Sequence, residues 1–278
     1  MAHPQIATFA RLAKENSQPE RLIAGQKTLL SRTMHDIRYD AIHDEMLVTN
    51  PFARAILVFR GGAEGEEAPL RVIQGPNTLM GGADRLDVDP VHNEIFVAEG
   101  DRVLVYAREA NGDAAPIRIL QGPDTQLERE GTLSVDPINN VIAVSPDEGP
   151  TVRRGTTKTA MLKIFNRTDS GNAKPRGVIG GPKSGIVRIN QMQSYPPKGW
   201  IVATQPGLLE EQHPEDIFIG VWHFTDNGDV PPRFKIGGGP KAGLVKPRGV
   251  ALNPANKELL VADMRLNSVL TFYFPEMF

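Results

Sequence analysis

Glycine closes the same seven-residue phrase five times along this chain: proline, three residues, Ile or Leu, any residue, glycine. The copies run Pro19 to Gly25, Pro69 to Gly75, Pro116 to Gly122, Pro175 to Gly181 and Pro232 to Gly238, roughly every 45 to 60 residues. A period of that length marks propellers or solenoids, because each repeat is one supersecondary unit that buries its apolar face only against its neighbours. The 278 residues are therefore read as one closed array, a single domain over 1–278, rather than as two ordinary domains.

Each repeat opens with a short alternating run into a turn, as in Leu86-Asp-Val-Asp-Pro-Val-His-Asn93, followed by a β-branched run, Ile95-Phe-Val-Ala98. That order reads as a hairpin. A third run ending in an aromatic residue follows, then a polar turn rich in Gly, Asn and Asp, then the proline-to-glycine phrase as a fourth strand. Four short strands per period describe a propeller blade. First, second and fourth strands number five each, so the expected fold is all-β: one β-propeller of five four-stranded blades closed by N- and C-terminal strands. Third strands number six, because Ile6 to Leu12 and Val269 to Phe274 both fit. The surplus strand lies outside the ring or belongs to a longer array, which makes six blades the alternative. Val269 to Phe274, the more apolar and aromatic, is expected beside the N-terminal fourth strand.

The phrases Arg248-Gly-Val-Ala-Leu-Asn-Pro254, Glu258-Leu-Leu-Val-Ala-Asp263 and Asn267-Ser-Val-Leu-Thr-Phe272 resemble the repeat of NHL-type β-propellers. The long third-to-fourth turns, such as Ala110-Asn-Gly-Asp-Ala-Ala-Pro116, resemble bacterial propeller proteins of undefined role. The resemblance covers nearly the whole chain and implies an architecture. NHL-like propellers include protein-binding, RNA-binding, ligand-sensing and enzymatic members, so function has to come from the site.

Bulk composition excludes several classes. The formal net charge of -2 gives no footprint for nucleic acid or an anionic membrane, and no apolar run approaches a membrane span. Without cysteine there is no disulfide, thiolate metal site or cysteine nucleophile. The first residues, Met1-Ala-His-Pro-Gln-Ile6, lack the basic and apolar segments of a signal peptide, although a secreted or periplasmic protein whose signal has been removed reads the same way. The partners expected are a protein or a small polar ligand.

Candidate chemistry falls into three groups. Asn50, Glu99, Asp147, Gln205 and Asp263 sit at the ends of second strands, where five oxygen-bearing side chains would suit calcium, a hard cation taking six to eight oxygens; alternatively each satisfies its own turn. On the first strands the polar parity carries Asp36, Arg38, Arg85, Asp87 and Gln191, with Arg248 at the start of the last. Side chains of one parity share a face, so these either bind a small polar ligand, Arg38 and Arg85 clamping its carboxylate or phosphate, or pair between blades. His35 and His213 are the general-base candidates if the molecule is a calcium-assisted, lactonase-like hydrolase or a lyase rather than a binding module or scaffold. No Gly-x-Ser-x-Gly elbow or His-Glu-x-x-His helix is present. The run Gly177 to Ser184 superficially matches a phosphate loop, but the same place in other repeats reads Gly-Pro-Asn-Thr, so it is expected to be a turn.

Overall fold

The computed structural model describes residues 4–32, 34–146, 160–208 and 213–278. Its strands follow the repeat. β1 (Gln5–Thr8) and β2 (Arg21–Ala24) form a two-stranded sheet. The first blade is β3 (Ile37–Asp40), β4 (Glu45–Asn50), β5 (Ala55–Arg60) and β6 (Arg71–Gln74). The second is β7 (Arg85–Asp89), β8 (Glu94–Glu99), β9 (Arg102–Ala107) and β10 (Arg118–Gln121). The third is β11 (Glu130–Asp136), β12 (Val141–Pro146), β13 (Leu162–Asn166) and β14 (Gly177–Ile179). The fourth is β15 (Gln191–Tyr195), β16 (Trp200–Pro206), β17 (Ile217–His223) and β18 (Phe234–Gly237). The fifth is a three-stranded sheet of β19 (Pro247–Asn253), β20 (Glu258–Asp263) and β21 (Ser268–Tyr273). The fold is an all-β, five-bladed propeller, and no α-helix occurs among the described residues.

The strand expected beside β2 is not the one found there. β2 pairs antiparallel with β1, from Gln5↔Ala24 to Thr8↔Arg21, whereas β21 pairs with β20 through Ala262↔Val269 and its neighbours. The connection from β1 to β2 is local, and closing a short loop costs less conformational entropy than recruiting a strand from the far end of the sequence. Aromatic content does not register that difference.

Residue contacts group the chain into two compact units, Met1–Val97 with Val105–Ile117, and Ala98–Leu104 with Arg118–Phe278. In the first, Ile23 of β2 packs with Met46, Val48, Leu57 and Phe59 of the first blade. That packing bypasses β3, whose parity is the reverse of the expected one. Arg38 and Asp40 are buried, while Ile37 and Tyr39 are 45% and 57% exposed. On β7, Leu86 and Val88 are buried as the alternation predicts. In the second unit, Met192, Ile201 and Ala203 of the fourth blade pack with Ala143, Leu162 and Ile164 of the third. Val202, Ile219 and Val221 pack with Val250, Leu259 and Val261 of the fifth.

Two local devices account for the repeating phrases. In the hairpin turn, Asp40 Oδ1 accepts the N–H groups of Ile42 and His43, Asp89 Oδ1 those of Val91 and His92, and Asp136 Oδ1 those of Ile138 and Asn139. These aspartates close turns, as short carboxylates do. After the fourth strand, Gly75 and Gly122 have φ of 143° and 141°, open to glycine at no steric cost. A one-turn 3-10 helix follows, in which Thr78 and Thr125 Oγ1 donate back to Gly75 O and Gly122 O at 2.6 Å.

The third-to-fourth turn of the next blade then reaches back over that glycine. Asn77 N–H donates to Asp113 Oδ1 at 2.6 Å, Asp124 N–H to Asn172 Oδ1 at 2.7 Å, and Lys183 N–H to Asp229 Oδ1 at 2.7 Å. Gln26 N–H donates likewise to Glu66 Oε1 at 2.7 Å. Ile73 and Leu120 bridge Gly112 and Gly171 of the same turns. A Cβ at Gly75 or Gly122 would overlap the side chain of Asp113 or Asn172. This clasp also settles Gly177 to Ser184: its N–H groups take the protein's own Asp229 carboxylate, and no α-helix follows.

Candidate functional site

The ends of the sheets opposite the Asp-closed turns hold the singled-out residues. In the first unit, the polar parity of β3 is spent between blades. Arg38 Nε donates to Leu86 O at 3.0 Å and lies 3.5 Å from Asp87 Oδ1, while Arg38 Nη2 lies 3.7 Å from Asp36 Oδ2. Asp36 Oδ2 accepts Leu86 N–H at 3.2 Å. Burial works against the guanidinium charge, and Asp36 and Asp87 more than offset it, so Arg38 is held above the usual arginine range. Arg85 donates through Nη1 to His35 O at 2.8 Å and to Asp84 O at 3.2 Å. Inter-blade pairing thus describes Asp36, Arg38 and Asp87.

In the second unit Gln191 and Gln193 of β15 perform the same service. Gln191 Oε1 accepts Val250 N–H at 2.7 Å and Gln193 Oε1 accepts Leu252 N–H at 3.0 Å. Gly249 keeps that approach open, since a Cβ there would lie 3.2 Å from Gln191 Oε1. Thr204 Oγ1 accepts Gln191 N–H and donates to Arg248 O, as Thr49 Oγ1 accepts Asp36 N–H and donates to Asp84 O. With the Asn190 amide turned so that its nitrogen faces Arg248 O, it also accepts from Arg248 Nη1 at 2.9 Å.

The oxygen-bearing residues at the second-strand ends tie down the segment that leads into their own blade. Asn50 Oδ1 accepts Ser31 Oγ–H, and Asn50 Nδ2 donates to Leu29 O. Gln205 Oε1 accepts Val187 N–H at 2.8 Å and Arg188 N–H at 3.4 Å. Asp263 Oδ2 accepts Val245 and Lys246 N–H, and its Oδ1 accepts Arg265 and Leu266 N–H. Glu99 is half-buried at the end of β8. Asp147 and most of the long loops from Pro146 to Thr159 and from Pro206 to Asp216 lie outside the described residues. Among the described residues, no three His, Asp or Glu side chains are grouped to hold a metal ion.

His35 Nδ1 lies 2.8 Å from Asp84 Oδ1, and His213 Nδ1 lies 3.8 Å from Glu215 Oε1. A His–carboxylate pair is half of a general-base arrangement, yet His43–Asp40 and His92–Asp89 form the same pair at 2.7 Å inside structural turns. Proximity of histidine to a carboxylate therefore carries no catalytic meaning in this molecule by itself. What the sequence reading missed is a pair of cations, Arg188 and Lys246, both buried just before an inner strand. The signal was present: aligning repeats on Gln205 and Asp263 puts the two at one repeat position.

No family model matches the sequence, and no curated protein matches it. Among solved structures, the chain is similar to one titled "Crystal Structure of Mitotic Checkpoint Complex", with a TM-score of 0.57 at 11% identity, over 91% of this chain and 64% of that one. It is similar also to "Kuenenia stuttgartiensis Hydrazine Synthase", with a TM-score of 0.57 at 9% identity, over 82% of this chain and 55% of that one. The chain spans less than two thirds of either. At such identity the likeness carries the fold alone, a β-propeller.

Proposed function

We propose that the chain is an NHL-like propeller acting as a binding or scaffold module, which receives a protein or a small polar ligand at the sheet ends where the inner strands begin. One observation carries this reading. At the hairpin-turn ends of the first three blades, Asp40, Asp89 and Asp136 do one job with one residue type. At the opposite ends the repeat position at or just before the start of the inner strand changes identity, through His35, Asp84, Gly131, Asn190 and Arg248. A fold assembled from repeats needs the same residue wherever the same structural task recurs; variation at one end, on rigid strands, leaves those side chains to recognition. The calcium-assisted hydrolase is the weaker reading, because Asn50, Gln205 and Asp263 already accept hydrogen bonds from their own loops.

The test is a thermal-shift screen of small carboxylates, phosphates, sugars and peptides on three proteins: wild type, Arg85→Gln/Arg248→Gln, and the control Lys198→Gln/Lys257→Gln at the hairpin-turn ends. The reading expects hits whose shift is lost in the first variant and kept in the control. Hits lost only in the control place binding at the other end and overturn it.

A further inference from the structure

The third strands of the first four blades, β5, β9, β13 and β17, each carry a fourth strand on their outer side, whereas β21 carries none among the described residues. The repeat shows what that omission exposes. The aromatic residues Phe59, Tyr106, Phe165, Trp222 and Phe272 align the third strands, which puts Val269 at the position of Ile56, Val103, Leu162 and Ile219. Those four are fully buried, and Val269 is 65% exposed. Two residues on, Val58, Val105, Ile164 and Val221 are buried, and their carbonyls accept the N–H groups of Leu70, Ile117, Arg176 and Arg233 where the fourth strand comes in, at 2.7 or 2.8 Å. Thr271 holds that position on β21 and is exposed.

A strand edge with bare N–H and C=O groups is a template for a further strand, and proteins blunt such edges with a cover, a charge, a proline or brevity. Here the outer edges of β2, β6, β10 and β14 are covered by the clasp, in which Gly65, Gly112, Gly171 and Gly228 exchange backbone hydrogen bonds with them. β18 lacks the clasp among the described residues, but it is four residues long and carries Lys235. β21 has none of these devices. Its six residues, Ser268-Val-Leu-Thr-Phe-Tyr273, include no charge and no proline. Val269, Thr271 and Tyr273 alternate along it and so share one face, which is exposed throughout.

We propose that β21 is a dimerisation edge whose occupant is β21 of a second copy of this chain, antiparallel about a two-fold axis at Thr271. The strand is self-complementary in that register. Thr271 falls opposite Thr271 and Val269 opposite Tyr273, a hydroxyl pair and two aromatic–β-branched pairs, both kinds favourable across antiparallel strands. Thr271 is the position whose carbonyl bonds the fourth strand in the other blades, so its N–H and C=O face the partner, and the two threonines exchange both bonds. Charge agrees with the pairing. No like charges meet along the strand, and the two-fold sets the end bearing exposed Arg265 in one copy at the end bearing exposed Glu276 in the other. Closed two-fold dimers are also the commonest homo-oligomers. The proposal does not rest on the binding reading above.

The chain has no cysteine, so one introduced cysteine reports its own neighbour. Residues of a hydrogen-bonded antiparallel pair stand about 5.5 Å apart at Cα, within disulfide reach. Under mild oxidation Thr271→Cys is expected to form a disulfide-linked dimer and Val269→Cys to stay unlinked, while Val269→Cys mixed with Tyr273→Cys forms the mixed dimer. By sedimentation velocity, wild type is expected to be a dimer that dissociates on dilution, because one strand edge buries less than the about 1,200 Å² of a lasting interface. Thr271→Lys sets like charges opposite each other and is expected to lose the dimer while keeping the wild-type Tm, its side chain being exposed. Should Thr271→Lys fail to fold, the cysteine variants decide alone. The proposal is overturned by wild type that stays monomeric to about 1 mM, by a dimer that persists in Thr271→Lys, or by Val269→Cys linking as readily as Thr271→Cys. It is overturned also if Thr271→Cys links to Arg21→Cys in preference to itself. Arg21 is opposite Thr8 in β2, so β2 would then be the occupant.

Discussion

Replacing Gly122 with alanine tests the physical account of the repeat. The residue has φ of 141°, where an L side chain is strained, and its new Cβ would overlap Asn172 of the next blade. Two costs follow. The backbone strain is about 1–3 kcal/mol. Displacing Asn172 removes the acceptor for Asp124 N–H, a cap worth about 1 kcal/mol. Gly122→Ala is thus expected to lose about 2–4 kcal/mol, and Asn172→Ala about 1 kcal/mol. Because the cap is lost only once, the double variant is expected to fall about 1 kcal/mol short of the sum, a coupling that a double-mutant cycle measures directly. The assay is urea unfolding followed by circular dichroism and tryptophan fluorescence, with coincident transitions required before free energies are compared. A Gly122→Ala protein within about 0.5 kcal/mol of wild type would refute the strain argument, and strict additivity would refute the clasp.

Glu45, whose side chain is 8% exposed, accepts from Arg71 at 2.7 and 2.8 Å and from Arg108 at 3.0 Å. Glu45→Gln is expected to cost about 2–3 kcal/mol at neutral pH, less than a fully buried pair because the arginines keep some solvent. The Arg71 hydrogen bonds lower the Glu45 pKa, so its stabilisation is present above the unfolded value of about 4.3 and disappears as pH falls through the folded one. The stability gap between wild type and Glu45→Gln should therefore close in acid; a gap constant to pH 2 contradicts the assignment. Thr204→Val leaves Gln191 N–H without its hydroxyl acceptor at 3.1 Å and is expected to cost about 1–2 kcal/mol by chemical denaturation, with no loss meaning that the hydroxyl bridge is idle. Chelation with EGTA is expected to leave the Tm unchanged, and a fall that calcium reverses would revive the oxygen ring as a metal site.

The repeat was legible because its devices act over a few residues. A glycine forced to positive φ and, in the first three blades, an aspartate bonding N–H groups two and three residues on leave recurring letters along the chain, so most strands stand where the phrases place them. The partner of each face is a different kind of fact. Ile37 and Tyr39 alternate with Arg38 and Asp40 as a strand should, and nothing in that alternation says which set a neighbouring sheet will cover. Here it covers Arg38, whose charge is met by Asp36 and Asp87. Lys246 escaped notice for the complementary reason: its match to Arg188 appears only when the repeats are aligned on Gln205 and Asp263, and its burial comes from the fold rather than from any local pattern.

The clasp always runs from a later blade to an earlier one. The residues it joins are 40 apart for Gln26 and Glu66, 36 for Asn77 and Asp113, 48 for Asp124 and Asn172, and 46 for Lys183 and Asp229. On a ribosome this order becomes a delay. Each blade's fourth strand emerges complete but with its terminal N–H groups bare, and at about 5–20 residues per second the acceptor follows about 2–10 s later. For that interval the newest blade is the least protected part of the nascent chain. Synthesis of each repeat thus completes the one before it, and an arrest between blades leaves a defined open edge for a chaperone or a protease to find.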